Sequence, residues 1–136
     1  MAHPQMFDDD DPVLARVREL ALALPGAGQK VSHGRPAFFT TKVFAYYGGS
    51  LRVDGSWVEH PSCLLVNLDE AETAALLEED RCFVPAYLGA SGWTGVDLDG
   101  VRRTDWAEVA ELLDASFRRT APARLVAQLD DQLDAR

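Results

Sequence analysis

The sequence predicts an α+β fold, a mostly antiparallel sheet packed against helices on one face. Three observations carry this. Stretches rich in aromatic and β-branched residues come in groups rather than alternating strictly with helices. Apolar residues recur at helical spacing near both ends of the chain. And 136 residues, 47% of them hydrophobic, are enough for one core without disulfides or metals.

Taken in order, residues 1–10 read as a disordered acidic tail and 11–136 as a single domain. Asp11 suits an N-cap and Pro12 a first helical residue. Val13, Val17, Leu20, Ala21 and Leu24 then share one helical face, and Pro25-Gly26 stops the helix. Residues 27–31 read as a loop. Residues 32–47 read as a β-hairpin, with 35–39 going out, Thr40-Thr41 turning and 42–47 returning. Gly48-Gly49-Ser50 reads as a turn. A hairpin-like excursion follows, with a short strand over 51–53, a tight turn at Asp54-Gly55, and a second short piece that Pro61 ends. The near-continuous apolar run 63–68 is a central strand.

Asp69, with Glu72 three residues on, starts a second helix that runs to about Glu79. Residues 83–88 and 93–98 read as strands, the first at an edge or bulge because of Pro85. Thr104 or Asp105 caps a third helix with Trp106, Val109, Ala110, Leu113 and Phe117 as its apolar stripe. A fourth begins near Pro122 and buries Leu125, Val126, Leu129 and Leu133. The predicted order is one helix, three strands, a helix, two strands, a helix, and an extra C-terminal helix.

Composition narrows function. No apolar run approaches a membrane span, and no basic segment leads into an apolar one near the N-terminus, so the expected location is the cytoplasm. Cys63 and Cys82 are expected to be reduced thiols. The net charge of -9 opposes nucleic-acid binding, which draws its affinity from cations on phosphates. The acid is uneven, however. Residues 61–100 sum to -7, whereas 31–60 sum to +1, with Arg35, Lys42 and Arg52 against Asp54 and Glu59. The hairpin therefore escapes the acidic field.

The candidate binding residues follow from this. His33, Arg35 and Lys42, interleaved with Phe38, Phe44 and Tyr46, could make a cation-and-aromatic surface of the kind that holds phosphates and stacks bases. The bland alternative is that the aromatics face the core and the charges keep an exposed ribbon soluble. Arg52 and Trp57 lie on the excursion, and Trp57 is the tryptophan expected at the surface, a residue type that marks contact sites. His60 and Cys63 have a ligand-like spacing but lack a second pair, so no metal is expected. Neither 26–30 nor 89–92 has the spacing of a phosphate loop or a nucleophile elbow. The carboxylates of 69–80 read as a solvated helix face. No arrangement marks a catalytic site or a cofactor, so an enzyme is not expected.

Several phrases together resemble the MmcQ/YjbR family: 35–45 (RPAFFTTKVFA), 85–88 (PAYL), Gly92-Trp93, and 114–117 (DASF). The likeness runs from about residue 13 to residue 127. The chain departs from the family pattern at Thr40-Thr41, where many relatives have glycine, and in an extended segment over 48–62. The resemblance implies a fold related to the bacterial frataxin homologue and to secretion chaperones. It also implies a non-enzymatic module that binds DNA, by analogy with "double wing" domains. The alternative partner is a protein, held by a chaperone-like and homodimeric module.

Overall fold

A computed structural model describes residues 4–135. Residues 1–3 of the expected tail and Arg136 lie outside the described residues. The fold is α+β. Helix α1 (Pro12–Leu22) precedes strands β1 (Gly28–Ser32), β2 (Arg35–Phe39), β3 (Val43–Val53) and β4 (Ser56–Asn67). Then come α2 (Glu70–Leu77), β5 (Cys82–Phe83), a 3₁₀ turn at Leu88–Ser91, and β6 (Trp93–Asp97). Three helices close the chain: α3 (Gly100–Arg103), α4 (Trp106–Thr120) and α5 (Ala123–Asp134). The strands form one antiparallel sheet in the order β1-β2-β3-β4-β6-β5.

One sheet face is closed by helices. Val13, Leu14 and Val17 of α1 and Val109, Leu113 and Phe117 of α4 pack on Phe38, Phe44, Tyr47, Leu64 and Val66. Leu125 and Leu129 of α5 complete this core. Asp11 does two jobs at the edge of the core. Its carboxylate caps α1 by accepting from the Val13 amide at 2.9 Å, and it also accepts the Tyr47 hydroxyl. Burial and that carboxylate push the Tyr47 hydroxyl well above its ordinary pKa.

Two irregularities shape β3. Val43 and Ala45 pair with Phe39 and Phe38, so Phe44 is an extra, bulged residue. Its ring turns to the helices and meets Phe117 edge-on at 5.5 Å. Its carbonyl accepts the hydroxyl of fully buried Ser116 at 2.6 Å, and the Ser116 oxygen in turn accepts the Asn67 amide at 2.9 Å. A second shift falls between Tyr47 and Gly49, opposite Pro61.

Several expectations need correction. Residues 27–31 are not simply a loop, because 28–32 form edge strand β1 on β2. Gly48-Gly49-Ser50 does not turn the chain; β3 passes through it with a bend at Gly48 (φ 86°). The two short pieces around Asp54-Gly55 are the ends of the long strands β3 and β4, and Pro61 sits inside β4 at the irregularity, where a missing amide is tolerated. The strand expected over 83–88 ends at Phe83. The Asp54-Gly55 turn itself stands, with φ of 51° and 81° suiting a tight primed turn.

Candidate functional site

The sheet face away from the core carries a smaller apolar cluster of Cys63, Leu65 and Trp93, with Val43, Tyr46, Phe83 and Leu88 against it. At one end of this face three segments converge around a cavity of about 650 Å³. They are the β1–β2 turn, the β3–β4 hairpin and residues 85–88. That volume lies in the range of small-molecule sites, roughly 300–1,000 Å³.

The first wall comes from His33-Gly34, a two-residue turn with φ of 51° and 82°. A side chain at Gly34 would stand 2.3 Å from the Pro4 carbonyl, so glycine lets the chain before α1 cross the turn. The Met6 amide donates to the Gly34 carbonyl at 2.8 Å, which holds the Met6 side chain at the cavity rim.

Arg35 starts β2 immediately after that turn. Its side chain is 12% exposed and pairs with Glu59 of β4, which is 50% exposed. The guanidinium reaches Glu59 across β3 by lying over Gly48, where an added Cβ would meet Nη1 at 2.5 Å. The floor is Tyr46 and Leu65, directly paired neighbours on β3 and β4. Trp93 supports Tyr46 edge-on at 5.1 Å. Burial raises the Tyr46 pKa, so its hydroxyl stays protonated as a donor.

The second wall is the segment after β5. The Ala86 amide donates to the Ser50 carbonyl at 2.8 Å and so ties this segment over β3. The Leu88 amide bonds the Ala86 carbonyl at 2.7 Å, closing a three-residue turn with Tyr87 at φ 63°, ψ -55°. This γ-turn form is rare and strained, at about 1–3 kcal/mol for a non-glycine residue. It presents a Tyr87 side chain that is 83% exposed, with its ring 6.0 Å from that of Trp57.

Of the five residues singled out from the sequence, His33, Arg35 and Trp57 line this one cavity. Arg52 stands beside it, its guanidinium 5.1 Å from the Trp57 ring centroid and bonded to the Gly55 carbonyl. Lys42 lies elsewhere, exposed in the β2–β3 loop at the other end of β3. Phe38 and Phe44 belong to the helix-side core. Trp57 is 46% exposed, whereas Trp93 is buried and Trp106 packs against the helix-side core.

Glu59, Met6, Ser50 and Tyr87 escaped the sequence reading. Period-two alternation could have placed Glu59 on the same side as Trp57. His60 and Cys63 do not face a common ligand. The His60 ring stacks on Phe83 at 4.0 Å, and Nδ1 sits 2.7 Å from Asp97 Oδ1. Cys63 is fully buried, and its thiol is pushed up to about 12 by that burial.

No curated protein matches this chain. The model of the YjbR family matches residues 22–119. This span runs from the end of α1 into α4 and contains the turn, the hairpin and the 85–88 segment that build the cavity. The chain belongs to the YjbR family.

Proposed function

We propose that this protein is a non-enzymatic binding module that takes a largely apolar guest into the cavity on the open sheet face. The observation that carries this is a preformed cavity of about 650 Å³ lined by Tyr46, Trp57, Tyr87, Met6, Leu65 and Leu88. Convergent aromatic walls with a few polar groups are the usual make-up of a ligand site. Burial holds the Tyr46 hydroxyl and the nearby Cys63 thiol in their protonated forms, which disfavours either as a base or nucleophile at neutral pH. Unbridged Cys63 and Cys82 suit a reducing, cytoplasmic compartment. No helix among the described residues is long and apolar enough to cross a membrane.

A protein-interaction module is the second reading. It is favoured by Trp57, Tyr87, Val84 and Met6, apolar side chains exposed on or near the cavity rim. DNA binding, which the family resemblance implies, draws less support from the charges. Arg35 is paired with Glu59. Lys42 and Arg52 are separated by most of β3, about 30 Å at the strand rise. A phosphate path needs several cations along one face.

The test is a titration with N-phenyl-1-naphthylamine, a neutral dye that fluoresces in apolar cavities. Wild type is expected to bind it. Ala86→Trp, which fills the cavity from its wall, is expected to weaken binding at least tenfold while the circular dichroism melt stays in place. Equal binding by both proteins would overturn the cavity assignment.

A further inference from the structure

We propose that the guest is a small aromatic carboxylic acid, and that its carboxylate binds Arg35 by displacing Glu59. This rests on the cavity reading above and names the class of guest. The ion pair at the cavity is asymmetric. The Arg35 side chain is 12% exposed and that of Glu59 is 50% exposed. A cation so deeply placed has to keep a partner, because leaving it unpaired costs far more than exchanging one carboxylate for another. Glu59 can swing back into water at little cost.

That difference selects the sign of the guest's charge. An incoming carboxylate takes over Arg35 and releases Glu59 to solvent, so no charge is left alone. An incoming ammonium would take Glu59 and strand Arg35. The guanidinium is also set for a planar, two-pronged acceptor. It passes over Gly48, and the missing side chain there is what allows that position.

The body of the guest follows from the remaining walls. Tyr46 lies at the floor, Trp57 and Tyr87 at the rim, and Leu65 and Leu88 between them. Flat rings prefer offset or edge contacts with such walls. Ser50 and the protonated Tyr46 hydroxyl add donors for a polar substituent. The cavity volume favours a free small molecule over the terminus of a protein chain.

Calorimetric titration with 2-naphthoate and its uncharged counterpart 2-naphthamide tests this. Wild type is expected to bind naphthoate at least tenfold more tightly than naphthamide. Arg35→Gln should bring naphthoate down to the naphthamide level. Glu59→Gln removes the internal competitor and should tighten naphthoate severalfold with naphthamide unchanged; it carries the test by itself if Arg35→Gln does not fold. Equal affinities in wild type, or no gain in Glu59→Gln, would overturn the carboxylate assignment. If the neutral dye still binds in an Ala86-dependent way, the cavity reading survives that loss. If neither naphthalene compound nor the dye binds, the cavity reading falls too.

Discussion

Ser116→Ala is expected to lower the unfolding free energy by about 2–4 kcal/mol, because it orphans two buried backbone groups with one hydroxyl. Phe44 is the extra residue of the bulge against β2, and its carbonyl is bridged to the Asn67 amide through Ser116. Ser116 donates to it at 2.6 Å and accepts the Asn67 amide at 2.9 Å, so this side chain joins α4 to β3 and to the end of β4. Alanine fits the space but supplies neither bond, and fully buried Ser116 leaves no room for water to substitute. Phe117 lies next in sequence with its ring on Phe44, so the bulge and the helix register are expected to loosen together. Urea unfolding reads the effect. A change under 1 kcal/mol would show that the bulge carbonyl is satisfied some other way.

The second large effect is alkaline destabilisation. Burial pushes the Cys63 thiol from its ordinary 9.0 up to about 12. Its folded pKa is raised, so below about pH 9 both states hold the proton and stability does not change. Between pH 9 and 12 the unfolded chain releases the proton while the folded one keeps it. Stability then falls by about 1.4 kcal/mol per unit, or about 4 kcal/mol across the window. Cys82, pushed up to about 11 mainly by burial, and Tyr47, raised further, act in the same direction. The urea midpoint is expected to drop steeply from pH 9 to 10.5 in wild type and less steeply in Cys63→Ala. Parallel slopes for the two proteins would contradict burial of the thiol as the cause.

Much of the fold was legible because its apolar pattern is local. Cys63–Val66 is buried throughout, as a continuous apolar run predicts for a central strand. The α4 stripe of Val109, Leu113 and Phe117 was equally plain. β1 was not legible, since Gly-Gln-Lys-Val-Ser has one large apolar residue. Its strand conformation comes from pairing with β2, and from Gly28 and Lys30 lying against the Phe39 ring. Gly48-Gly49 has turn composition, yet pairing on both sides of it carries β3 through. In these places tertiary pairing overrides local propensity.

The site was half legible for a similar reason. His33, Arg35 and Trp57, singled out by residue type alone, line the candidate cavity. Whether Lys42 joined them depended on strand direction. It lies in the loop before β3, and the cavity is built further along, on residues 46–50 of β3. Glu59 was missed as the partner of Arg35 because that ion pair bridges β2 and β4 across an intervening strand. Tyr87 was hidden by the strand-like composition of 83–88, whereas its γ-turn backbone points the ring at Trp57.

On the proposed reading, the open sheet face is the working surface. The most direct measurement follows the three tryptophan indole N–H signals of ¹⁵N-labelled protein during titration with 2-naphthoate. Trp57 lines the cavity, whereas Trp106 sits on the helix side with its Nε1 bonded to the Val101 carbonyl. The Trp57 signal is expected to shift with saturation while the Trp106 signal stays fixed. A fixed Trp57 signal, or a shift confined to Trp106, would contradict the account.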